Sequence, residues 1–169
     1  MKTFLQPLQS LAEIEEIEKQ AKKNRGILEI SGCMESQKAH LMYGLSGLFP
    51  SHLVIAADEK TAKDLYEDYR FYDKRVYYYP AKDLLFFQAD IHGNLLIRQR
   101  MCVIKELLEQ KELTVVTSID GCMDYLTPLD EIGKKVLHFY SDSVINMDVL
   151  KNTLVQLGYE RVGQVEMPG

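Results

Sequence analysis

The stretch "ILEISGCMESQKAHLMYGLSGLF", Ile27 to Phe49, decides the fold. It opens on β-favouring residues, turns at a glycine and a polar segment, and continues into a helix-forming run that stops near Pro50. The order is strand, loop, helix. Read from Gly32, the loop has the outline of the phosphate-binding motif G-x-x-x-x-G-K-[ST], with Gln37 at the second glycine, Lys38 in place and Ala39 where the hydroxyl belongs. A working loop needs that glycine so that backbone N–H groups can curl around phosphate, the lysine to reach the terminal phosphates, and the hydroxyl to hold magnesium. Gln37 cannot cheaply adopt the positive φ of glycine, and Ala39 cannot ligate a metal. The four positions Gly32, Gln37, Lys38 and Ala39 therefore read as a degenerate phosphate loop that no longer works.

Outward from this stretch, strands and helices alternate. Before it, Leu5, Leu8, Leu11, Ile14 and Ile17 recur at helical spacing, and one amphipathic helix is expected from Phe4 to Gln20. After it, "HLVIAA" reads as a buried strand, with Asp58 as N-cap of the helix "EKTAKDLYEDYRFY". "RVYYYP" is a third strand, "NLLIRQRMCVIKELLEQ" a long helix, and "LTVVTS" a fourth strand whose apolar run suits a sheet covered on both sides. Such alternation implies right-handed crossovers and a parallel sheet. The expected class is α/β, a three-layer, parallel-sheet, P-loop-like domain followed by a small α/β lobe. The expected divisions are a leading helix over residues 1–25, the first domain over 26–127 and the lobe over 128–169. In the lobe, a strand, a helix capped by Asn146 or Asp148 and closed by Gly158, and a second strand are expected.

Composition narrows the function. With 46% apolar and 27% charged residues the chain is that of a folded globular protein, and no apolar run nears the ~20 residues that span a bilayer. A cytoplasmic location without membrane contact is expected. The net charge of -5 argues against broad capture of nucleic acid, which depends on Lys and Arg replacing phosphate counterions. Cys33, Cys102 and Cys122 form no C-x-x-C pair, and His40, His52, His92 and His138 have no ligand spacing, so no metal site is expected. "VIAADEK" imitates a magnesium-holding acidic strand, but Asp58 has a simpler role as helix cap. The Tyr-rich "YRFYDKRVYYYPAKDLLFF" contains the ingredients of a base-stacking surface, although strand alternation sends Tyr77 and Tyr79 to one sheet face and Tyr78 to the other.

The decayed loop, "ADEKTAKDLYEDYRFY", "YPAKDLLFFQADIHGNLLIRQRMCVIKELL", "VVTSIDGCMDYLTP" and "LVQLGYERVGQVEMPG" follow one another in an order that resembles the N-terminal, UvrB-homology module of the bacterial transcription-repair coupling factors, the Mfd family. The resemblance covers essentially the whole sequence and rests on order and spacing more than on any one motif. It implies that the chain stops before the rest of the first domain. It also implies a non-catalytic adaptor that recruits the repair ATPase UvrA to stalled RNA polymerase for nucleotide excision repair. No cofactor is implied for this segment. ATP, magnesium, RNA polymerase and double-stranded DNA belong to other parts of such a protein, whose motor is a separate C-terminal translocase. Compared with UvrB, the loop has lost its glycine and threonine, and the connection from Pro80 to Gly93 looks too short for a DNA-clamping hairpin. The resemblance places UvrA contact in the second lobe, with Arg161 of "LGYERV" as the partner-binding residue, since a guanidinium fork pairs well with carboxylates. Two other readings remain open: a nucleotide-binding NTPase or helicase fragment working through Lys38, and a module that stacks single-stranded nucleic acid.

Overall fold

The structure, a computed structural model, describes residues 5–23, 26–82, 90–109 and 112–164. The chain divides into two units, Met1–Tyr125 and Leu126–Gly169.

The first unit is built on three parallel strands, β1 (Ser51–Ala56), β2 (Val76–Tyr79) and β3 (Leu113–Ser118), in the order β1-β3-β2. The register sets Leu53 and Tyr77 beside Val115, and Val54 and Tyr78 beside Val116. Because side chains alternate across a sheet, this register divides the core in two. On one face Ala56, Val76 and Val116 close against Ala39, Ala62 and Tyr69, with Leu65, Tyr72 and Tyr78 packed around them. These come from helices α3 (Glu35–Leu45) and α4 (Glu59–Tyr69) and the turn after α4. On the other face Leu113, Val115, Tyr77 and Tyr79 meet Val103 and Leu107 of helix α5 (Asp90–Glu109). All six residues of β3 are buried, as its apolar run requires of a central strand with helices above and below. The α/β class and the layered parallel sheet expected from the sequence are present, and Tyr77 and Tyr79 do lie opposite Tyr78.

Two expectations for this unit are corrected. The single leading helix is two, α1 (Gln6–Gln9) and α2 (Ala12–Lys23). Ser10 ends the first: its hydroxyl donates to the Pro7 carbonyl at 2.8 Å, and the Leu11 N–H turns back to the Leu8 carbonyl at 3.0 Å. The strand expected at "ILEIS" does not form; residues 27–30 are irregular, with Ile27 fully exposed and Ile30 40% exposed. β-favouring residues become a strand only beside another strand, and none is paired with these. Much of the Pro80 to Gly93 connection lies outside the described residues.

A short helix, α6 (Ile119–Cys122), follows β3 in the first unit, and the second unit contains α7 (Leu129–Gly133) and α8 (Met147–Gln156). Asn146 caps α8, its side chain accepting from the Asp148 and Val149 N–H groups at 3.0 and 3.2 Å. Gly158, at φ +91°, ends it, as the sequence predicts. The two flanking strands expected here are absent among the described residues, and no described residue of this unit is buried.

Candidate functional site

The decayed loop begins at Gly32, whose φ of +82° gives the chain its turn before α3. A helix N-terminus presents unsatisfied N–H groups, which in a phosphate loop point at the ligand. Here one side chain, that of Gln37, turns back on the first turn. The Gln37 side-chain oxygen accepts from the Met34 N–H at 3.0 Å, and the Gln37 N–H donates to the Met34 carbonyl at 2.9 Å. Gln37 therefore sits in the first turn of α3 as a helix cap partner and needs no positive φ. Lys38, which would reach phosphate, pairs with Glu35 one turn earlier at 2.5 Å. Ala39 is 1% exposed and belongs to the apolar core with Ala56, Ala62 and Val116. A serine or threonine hydroxyl at that position would have to be buried among apolar groups.

At the C-terminal ends of the strands, where open α/β sheets place their ligands, two polar clusters hold the elements together. Asp58 caps α4, accepting from the Thr61 N–H at 2.8 Å and its hydroxyl at 3.1 Å. Those two bonds hold the Asp58 carboxyl below its ordinary range. Glu59 faces inward: one oxygen accepts from the Ala81 N–H at 2.8 Å and from the Ser118 hydroxyl at 2.5 Å, and the other accepts from the Tyr78 hydroxyl. Burial, then the bond to Glu59, raises the Tyr78 phenol above its ordinary range. With both oxygens engaged, Glu59 ties β2, β3 and α4 together. The acidic pair of "VIAADEK" is thus one cap and one clamp.

In the second cluster Arg100, 7% exposed, donates to the Pro80 carbonyl at 3.0 Å and to Asp124 at 2.7 Å, and lies over the Tyr79 ring at 4.2 Å. Burial raises the Tyr79 phenol, with Arg100 partly opposing. Tyr77 donates to Glu106 at 2.9 Å. The three tyrosines of β2 are therefore committed to neighbours within the unit, which weakens their reading as a base-stacking surface. Sequence reasoning missed Arg100, Asp124 and the clamp made by Glu59 and Ser118, because the partners lie 19 to 59 residues apart and meet only through the strand order. The one local signal is the cap after β3, where Ser118 accepts from the Gly121 N–H at 3.0 Å. Among the described residues no group of three or more His, Cys, Asp or Glu could hold a metal ion, and no helix is long and apolar enough to cross a membrane.

Arg161 lies in the second unit, past Gly158, in irregular backbone. Its residue is exposed, as are its neighbours Tyr159, Glu160 and Val162. The strand expected to carry it is not formed. Arg161 and the loop at Gly32 to Ala39 lie in different units, so they stand as two separate candidates.

No protein-family model matches the chain. The chain is similar to the transcription-repair-coupling factor of Bacillus subtilis (strain 168), with 27% identity over 155 residues, covering 83% of this chain and 13% of that protein. The likeness is distant and extends to a small part of the relative's length. It agrees with the family resemblance drawn from the order of the motifs.

Proposed function

We propose that this chain is a non-catalytic adaptor module of a transcription-repair coupling system, and that its second unit recruits UvrA to stalled RNA polymerase. The observation that carries the non-catalytic half is the loop: Gln37 caps the helix, Lys38 is paired with Glu35, and Ala39 is buried in the core. Each group that would cradle a triphosphate has another task or another side chain. The distant likeness to a transcription-repair-coupling factor supports the repair context. In the recruiting half Arg161 supplies an exposed guanidinium able to grip a partner carboxylate. RNA polymerase and double-stranded DNA would be engaged by other modules, where an ATP-driven motor would also reside.

Thermal melting with and without ATP and magnesium tests the non-catalytic half, because a ligand that binds only the folded state raises the melting temperature. The melting temperature is expected to be unchanged. A saturable rise that Lys38→Ala abolishes would replace the adaptor with a nucleotide-binding fragment.

A further inference from the structure

Strand β3 leads into α6, and the first unit gives up the chain soon after, at Tyr125. Side chains set the point where it lets go. Helix α6 has four residues, too few to be stable alone. It is held at both ends. At its start the Ser118 hydroxyl accepts from the Gly121 N–H at 3.0 Å, and Gly121 is packed so closely that an added Cβ would strike the Thr117 hydroxyl. Just past its end, Asp124 places Oδ2 at 2.7 Å from Arg100 and Oδ1 at 3.8 Å from Lys82. Beyond Asp124 the hold ceases. Residues 125–128 are irregular, Tyr125 and Leu126 are exposed, and neither takes part in a hydrogen bond with a described residue.

The two cations on Asp124 are unequal. Lys82 is half-exposed and the more distant, and such a pair is screened by water and salt and contributes little. Arg100 is buried and is fixed independently of Asp124, by the Pro80 carbonyl at 3.0 Å and the Tyr79 ring at 4.2 Å. It is therefore a preset socket, which stays in place whether or not the carboxylate is seated. A buried guanidinium left without its counter-charge is costly, and that cost keeps the carboxylate seated.

We propose that the Arg100–Asp124 pair is a latch on the tether between the two units. Closed, it fixes the chain through Asp124 and leaves four residues, Tyr125 to Pro128, as the free tether before α7. Open, it releases the end of α6, the short helix melts, and the tether lengthens to the ten residues from Ile119 to Pro128. The reach of a flexible segment grows as the square root of its length, so the second unit then ranges roughly 1.6 times as far. The latch decides how closely the second unit is held, whatever that unit binds. The inference rests on the geometry around Asp124 and not on the repair role proposed above.

The test is backbone amide relaxation by NMR on the whole chain, beside the Asp124→Asn and Lys82→Ala variants. In the unaltered chain the order parameters should stay at about 0.85 through Asp124 and fall below about 0.6 from Tyr125 onward. Asp124→Asn keeps the shape of the side chain and removes its charge. It should carry the low values back to Ile119 while β3 and α5 keep theirs, and Lys82→Ala should leave the profile as it was. Order parameters describe motion within folded molecules, so a pair that only added stability would shift the urea midpoint and leave them unchanged. The proposal is overturned if the unaltered chain is already mobile from Ile119 or stays rigid through Pro128, a result that needs no variant to fold. It is equally overturned if Asp124→Asn leaves Ile119 to Asp124 rigid, or loosens β3 and α5 as much as α6.

Discussion

The two units respond differently to similar sequence. "LTVVTS" in the first and "VLHFY" in the second are both short runs of strand-favouring residues. The first becomes β3, buried along its whole length between two strands and two helix layers. The second, Val136 to Tyr140, stays irregular, with Phe139 55% and Tyr140 69% exposed. The difference is in what surrounds them. A strand is stabilised by its cross-strand and same-face neighbours rather than by its own preference. The first unit supplies those neighbours to β3, and the second, among its described residues, pairs no strand with its own apolar runs.

The sharpest way to break the contrast is to truncate one aromatic in each unit. Tyr69→Ala, at a site 1% exposed, should destabilise the first unit by about 4 kcal/mol. Phe139→Ala should stay within about 0.5 kcal/mol. Urea unfolding reads both, and a large Phe139 effect would mean that the second unit has a core of its own. Next in size, Arg100→Ala removes the guanidinium that joins Pro80, Asp124 and the Tyr79 ring. A loss of about 3 kcal/mol is expected, since it leaves the partly buried Asp124 only the more distant Lys82, at 3.8 Å, and opens a gap beside Tyr79. An effect below about 1 kcal/mol would demote this cluster to an ordinary surface ion pair.

Smaller again is Asn146→Ala, which removes the side chain that accepts from the Asp148 and Val149 N–H groups at the start of α8. About 1 kcal/mol of helix stability should go. Because α8 has no buried residue to retain it, the loss should appear as reduced helical circular dichroism rather than as a shift in the main unfolding transition. The smallest effect concerns pH. Burial holds His52 below its ordinary range, with Asp73 partly opposing, and its Nε2 is buried without a hydrogen-bond partner among the described residues. The unfolded chain therefore binds this proton more readily than the folded one. Stability should be complete above the ordinary histidine pKa of about 6.5 and fall as pH drops below it toward the lower folded value. Urea midpoints measured from neutral to mildly acid pH should show this decline, and His52→Gln should flatten it.

Local signals made much of the first unit legible. Alternation and apolar runs located β1, β2 and β3, and Asp58 and the choice of Asn146 or Asp148, of which Asn146 is the cap, announced their helices because a cap is a property of adjacent residues. The residue types at Gln37 and Ala39 disclosed a decayed loop, though not that one would cap a helix and the other fill the core. What pattern could not supply was pairing. Ile27 to Ile30 and Val136 to Tyr140 have the composition of strands and, among the described residues, no strand beside them. The inward role of Glu59 depends on Ser118 and Tyr78 arriving from other elements, which no short window of sequence contains. Arg161 was legible only through the resemblance; in the structure it is an exposed residue on irregular backbone.

The central claim, an adaptor that works through its second unit and not through its loop, is tested most directly by calorimetric titration of the chain with UvrA from the same organism, beside the Arg161→Glu and Lys38→Ala variants. Micromolar or tighter binding is expected, abolished by Arg161→Glu and unchanged by Lys38→Ala. Absence of binding by the folded chain, or binding that depends on Lys38 and not on Arg161, would contradict it.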